Sequence, residues 1–220
     1  MAENPIHPEP TEGVPPTREL DLESLKALSH PLRVQIVNAL SIYGAATASG
    51  LAERFGESSG ATSYHLRQLE RHGFIREVEG KGTGRERWWE RVPGALNIGS
   101  SAAEETPAGR SAAQLIFREF RETADRLLVE FTEHGPDVLP PEWMDASEIT
   151  TANARLTLEQ LQAFVLAVNT AINTLVIPFR GQQVEGTRAI QIHFNAFPVI
   201  DAETAISPAG TPARTPGERA

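Results

Sequence analysis

Ser59, Ser63, Tyr64, Arg67, Gln68 and Arg71 share one short stretch of the chain. Wound as a helix at about 100° per residue, Tyr64, Arg67, Gln68 and Arg71 take one side, with Ser59 and Ser63 at its margins. Thr62, Leu66 and Leu69 take the other. The polar side has the chemistry that a DNA duplex calls for. Arginine can pair with guanine and glutamine with adenine, while serine and tyrosine reach phosphates or bases. An ordinary solvated helix face would have much the same polarity, so the neighbouring elements must decide between the two readings.

Upstream, Thr47-Ala-Ser-Gly-Leu-Ala-Glu-Arg-Phe55 predicts a helix with Thr47 as N-cap and Leu51 and Phe55 as anchors. Gly56-Glu57-Ser58-Ser59 is a sharp turn, and the polar-faced helix spans 60–72, stopped by Gly73. Residues 74–79 and 85–91 read as a hairpin around Gly80-Lys-Gly-Thr-Gly84. Its loop offers Lys81 and Thr83, and period two puts Arg85, Arg87, Trp89 and Arg91 on one face of the return strand. Helix, turn, helix and basic hairpin in that order predict a winged helix-turn-helix, whose second helix enters a major groove. The hairpin tips the balance away from the plain solvated face.

Two amphipathic helices should come first. Leu20, Leu22, Leu25 and Leu28 mark one, ending near His30. Pro31 suits the first turn of the next, which carries Leu32, Ile36, Val37 and Leu40 and stops at Gly44.

Other motifs yield blander readings. Gly56-Glu57-Ser58-Ser59-Gly60 spells a nucleophile elbow, but that device needs a strand before it, and here a helix precedes. Gly80-Lys-Gly-Thr-Gly84 lacks the order of a phosphate loop and reads as a wing tip. His65 reads as a partly buried histidine at the core edge, and His193 as a solvated strand residue. Glu130 and His134 stand at i, i+4, without further ligands at matching spacing for zinc. No catalytic residue and no cofactor or metal site is assigned, and an enzyme is not expected.

The net charge of −9 is unfavourable for a DNA partner taken whole, but residues 50–91 hold 8 basic against 7 acidic side chains. Phosphate attraction is local, because charges farther than ~8–10 Å are largely screened. The absence of cysteine excludes disulfides, thiolate metal sites and a cysteine nucleophile. The opening residues show neither a basic nor an apolar leader region, so the expected location is cytoplasmic.

Residues 19–92 resemble the ArsR-type winged-helix regulators of bacteria. The likeness rests on Leu25-Lys-Ala-Leu-Ser-His-Pro-Leu-Arg33, Leu51-Ala-Glu-Arg-Phe55, Thr62-Ser-Tyr-His-Leu-Arg-Gln-Leu-Glu-Arg-His-Gly-Phe-Ile75 and Gly84-Arg-Glu-Arg-Trp-Trp89. It covers about a third of the chain. The resemblance implies a homodimeric, cytoplasmic transcription factor, usually a repressor released by a ligand. Without the cysteine pair of the metal-sensing branch, the non-metal-sensing branch is implied.

Around this core, residues 1–17 and 201–220 are expected to be disordered tails, 18–92 the DNA-binding domain, and 93–109 a small-residue linker. Residues 110–200 should serve dimerisation, beginning with a helix from Ser111 to about Glu133, ended by Gly135-Pro136. Residues 145–156 are weakly strand-like. Thr157-Leu-Glu-Gln160 fits a capping box for a helix buried on a broad face, a poor membrane span because polar side chains interrupt it. Residues 189–198 alternate like a strand. The expected fold class is α+β: a winged helix-turn-helix, a helical dimerisation segment and a small strand–helix–strand α/β unit. The expected partners are double-stranded DNA and a second copy, with no membrane. A small-molecule effector is left open, in a pocket lined by 158–176 and the last strand. The competing reading is a binding or enzymatic C-terminal domain, with the winged helix used for protein contacts.

Overall fold

The computed structural model describes residues 18–82, 86–94, 96–98, 106–179, 181–182 and 184–200. The expected tails at 1–17 and 201–220, and Thr83 and Arg85 of the wing, lie outside the described residues.

Local signals account for the first helices. The Asp21 carboxylate accepts the Ser24 N–H at 2.8 Å and opens α1 (Leu22–Leu28). This bond, first to the Ser24 backbone and then to its hydroxyl, holds the Asp21 carboxyl below its usual range. Pro31 occupies the first turn of α2 (Pro31–Tyr43), where its missing N–H costs nothing. Thr47 and Ser58 cap α3 (Ala48–Phe55) and α4 (Ser59–Arg71), accepting from Gly50 and Ala61 at 3.1 Å each. Ser58 is thus spent on capping a helix that follows another helix, so the elbow motif has no strand–turn–helix here. Between the two helices Gly56 adopts φ +67°, the left-handed conformation that glycine takes without strain.

The sheet of the domain is antiparallel. β1 (Arg18–Glu19) and β2 (Ala46–Thr47) precede the wing strands β3 (Ile75–Glu77) and β4 (Trp88–Arg91). The order is β2-β4-β3, with Ala46 opposite Trp89 and Ile75 opposite Arg91. Leu25, Leu28, Ile36, Val37, Leu66, Leu69 and Ile75 fill a single core. Trp89 joins them, 3% exposed. Burying such side chains contributes about 1.5–3 kcal/mol each.

Residues 93–109 are more than a linker. Within them β5 (Leu96–Asn97) pairs in parallel with β1, the Asn97 amide donates to Glu19 at 2.8 Å, and Ile98 enters the core. The next helix, α5 (Pro107–Val138), starts four residues before Ser111, because Thr106 caps it and Pro107 suits its first turn. It also runs through Gly135-Pro136. A proline in the last turn forfeits one hydrogen bond there, and the Leu139 N–H still closes onto the Gly135 carbonyl at 2.8 Å. Gly109, Ala112, Ala113 and Ile116 are buried as α5 crosses α1 and α2, and small side chains permit that close approach.

The expected strand–helix–strand unit is not formed. After the short α6 (Pro141–Asp145), residues 147–157 are irregular and exposed, and 189–199 form no ladder. Alternation marks which side of a segment is apolar, but a strand also requires a neighbour to satisfy its backbone. The helix between them, α7 (Leu158–Leu175), has the expected capping box, Gln160 N–H to Thr157 at 3.2 Å and Thr157 N–H to the Gln160 side chain at 2.9 Å. It is not buried: Leu161, Val165, Val168 and Ile172 are half-buried, and none of its residues is fully covered. Phe194 meets Phe164 at 5.8 Å between ring centroids, so the last segment folds back along α7. Leu158–Phe179 is also long and apolar enough to cross a membrane, with a mean hydropathy of 1.5.

Candidate nucleic-acid interface

The α4 helix presents its polar side to solvent. Ser59, Tyr64, Arg67 and Arg71 are exposed, while Ser63 and Gln68 are half-buried at its borders. Thr62, Leu66 and Leu69 anchor the helix from behind, and the Thr62 hydroxyl donates to the Ser58 carbonyl at 3.1 Å. The expected helical division of faces is therefore the observed one. Arg67 lies along the helix, its Nε donating to the Ser63 carbonyl at 3.2 Å, which leaves its terminal nitrogens outward. The N-terminus of α4 adds the partial positive charge of unpaired backbone N–H groups.

The wing is only partly as expected. Trp89 points into the core, and Arg91 on the same face is half-buried, donating to the Gly94 carbonyl at 2.8 Å. The period of two was right, but this is the inner face of the strand. The outer face pairs Arg76 with Glu90 at 2.6 Å. Arg87, before β4, is exposed and bound to Glu77 at 2.7 Å, so its charge is half spent within the wing. Lys81 is exposed, its Nζ 4.3 Å above the Trp88 ring. Gly82 is packed against the same indole: a Cβ there would meet the Glu86 carbonyl at 2.8 Å and Trp88 Cδ1 at 2.9 Å. Trp88 is thus the platform that seats the wing tip, a role not visible in the sequence pattern.

His30, Arg33 and His65 were also missed as a group. His65 is half-buried as expected, and its ring contacts that of His30 at 4.3 Å between centroids. The Tyr64 and His65 rings stand edge to face, 5.2 Å between centroids. Burial pushes both imidazoles below their ordinary pKa. For His30 the Arg33 charge acts in the same direction, opposed by Glu57 and Glu119; for His65 His30 and Arg33 do so, opposed by Glu57. Burial also lowers the Arg33 guanidinium. These groups join the start of α2 to the underside of α4, and they were within reach, since His30-Pro31-Leu32-Arg33 already stood out as a motif.

The remaining polar candidates lie apart from this face. Glu130 and His134 are exposed on α5, and His193 is exposed beside Asn195, 3.1 Å away.

Residues 28–78 match a domain family described as a helix-turn-helix domain, and β4 beyond the match completes the wing strands of that domain. Among solved structures, the chain is similar to HlyU from Vibrio cholerae N16961, at 19% identity over 43% of this chain and 84% of that one, with a TM-score of 0.28. A possible transcriptional regulator for arsenical resistance is 27% identical over 50% of this chain and 96% of its own, TM-score 0.28. The ArsR family transcriptional regulator RHA00566 is 26% identical over 46% and 84%, TM-score 0.27. No curated protein matches the chain.

Proposed function

We propose that the protein is a sequence-specific DNA-binding transcriptional regulator of the ArsR type, acting as a homodimer and released from DNA by a ligand. The observation that carries this reading is the solvent-facing row of Ser59, Ser63, Tyr64, Arg67, Gln68 and Arg71 on α4, backed by a buried apolar row. Arg67 and Gln68 would read base edges, and the serines, Tyr64 and Arg71 would hold the backbone. Lys81 and Arg87, with Thr83 and Arg85 beside them in the sequence, would place the wing on adjacent phosphates. Two copies would set their α4 helices in successive major grooves of a pseudo-palindromic site. The exposed Phe117, Leu128 and Val129 of α5 and the exposed Leu158, Phe164, Leu166 and Leu175 of α7 support pairing between copies.

The test is a fluorescence-anisotropy titration against the DNA upstream of the protein's own gene, followed by selection from random sequences. Tight, salt-dependent binding that random DNA fails to compete is the expected result. Failure to enrich any sequence from the random pool would overturn the reading.

A further inference from the structure

We propose that the cleft between α2, α3 and α5 binds a small organic cation with an aromatic or apolar body, held by the carboxylate of Glu119. The cleft holds about 440 Å³, a volume typical of small-molecule sites. It lies away from the place expected from the sequence, along α7 and the last segment. Gln35, Asn38 and Tyr43 line it from α2, Arg54 and Phe55 from α3, and Glu119 from α5.

Two carboxylates, Glu119 and Glu122, and two guanidinium groups, Arg54 and the exposed Arg126, line the cleft, but among the described residues neither guanidinium forms an ion pair with Glu119. Glu119 is only 6% exposed, and the donor that reaches it is the Gln35 amide at 3.3 Å. An ionised carboxylate can accept about four hydrogen bonds, and a buried one is costly unless it is paired with charge. Among the described residues no lysine or arginine nitrogen forms an ion pair with it. Arg54 is engaged elsewhere, its guanidinium 3.9 Å above the Tyr43 ring. Glu122 on the next turn faces Arg118 at 3.8 Å. Asn38, 8% exposed, makes one long bond, 3.4 Å to Thr123. Two nine-tenths-buried polar side chains therefore line a cleft with acceptor capacity unused. An ammonium or amidinium would fill that capacity, and Tyr43 and Phe55 would cover its apolar body.

The position also matters for control. α3 leads into α4, and α5 is the helix expected to meet a second copy. A ligand that fits one relative placement of α3 and α5 better than another would shift the DNA-competent population by its differential affinity. This consequence rests on the regulator reading; the binding site does not.

The experiment titrates the full chain, free of DNA, with benzamidine, benzamide and benzoate, which share a shape and differ in charge. Calorimetry should give saturable benzamidine binding, with benzamide and benzoate at least about tenfold weaker. Benzamidine should shift the ring resonances of Tyr43 and Phe55. Glu119→Gln should weaken benzamidine about tenfold while leaving the Thr62–Leu66–Leu69 packing of α4 intact. Equal binding of the three compounds, unmoved Tyr43 and Phe55 signals, or unchanged binding to a folded Glu119→Gln protein would overturn the proposal. If that variant does not fold, the charge series and ring shifts on the natural chain decide alone. If benzamidine binds but no DNA is recognised, the site stands and the regulator reading falls; if DNA is recognised and benzamidine is not bound, the reverse holds.

Discussion

The rings of His30 and His65 meet at 4.3 Å between centroids, tilted by 41°, and fasten the start of α2 to the inner edge of α4. Neither Nδ1 has a hydrogen-bond partner among the described residues. Burial, reinforced by the nearby Arg33 charge, therefore favours the neutral form of both.

This contact should make stability depend on pH. The folded-state pKa of each histidine lies below the ordinary value of about 6.5, so the unfolded chain takes up these protons first on acidification. The contribution is complete above about pH 6.5 and is lost as pH falls towards the folded pKa. Thermal melts from pH 8 to 5 should show Tm declining below about pH 6.5. The decline should be shallower in His65→Gln, and parallel curves would remove the pair as its cause.

On α4, Arg67 and Gln68 should differ from Arg71 in what they read. Arg67→Ala or Gln68→Ala should cost roughly 1–3 kcal/mol on the selected site and relax sequence preference. Arg71→Ala, at the helix end, should weaken selected and random DNA alike. Competition titrations separate the two outcomes, and an unchanged preference would take Arg67 and Gln68 out of base readout.

In the wing, the internal Glu77–Arg87 pair makes a distinction that charge counting misses. Lys81→Ala should reduce the slope of log K against log salt by about 1. Arg87→Ala should change it less, because the Arg87 charge is already partly neutralised. Glu77→Gln should release Arg87 and steepen the slope. A slope insensitive to all three substitutions would place the wing off the DNA.

Gly82 should resist substitution. Its φ of +100° is strained for an L-residue, and an added Cβ would meet the Glu86 carbonyl at 2.8 Å. Gly82→Ala should displace the wing tip from Trp88 at a cost of about 1–3 kcal/mol. The indole fluorescence should shift, DNA affinity should fall and sequence preference should survive. An unaltered emission spectrum would mean that the tip has another seat.

What was legible in the residues follows a physical line. Thr47, Gly44, the polar and apolar sides of α4 and the Thr157–Gln160 box all appear as read, because a helix cap or face involves residues within about four positions of each other. The wing strands were found too, since a hairpin joins near neighbours. Which of their faces is inward was not legible. Arg87, Trp89 and Arg91 share a side whichever way the strand turns, and only packing against Ile75 shows that this side is inward. The parallel pairing of Leu96 with Arg18 left no local trace, being a bond between distant segments. The strands expected around α7 failed for the converse reason: alternation was present and a partner edge was not.

By itself, then, the order of residues determined where helices begin and end, which side of each is apolar, and that a polar helix face precedes a hairpin. Only the tertiary structure decided that Arg87 is tied to Glu77, that Trp88 seats the wing tip, and that His30 lies on His65. It alone brought Gln35 to Glu119, residues 84 apart, across the cleft. Hydrogen bonds along a helix need only local sequence, whereas a cleft or a ring contact exists only once distant elements have packed.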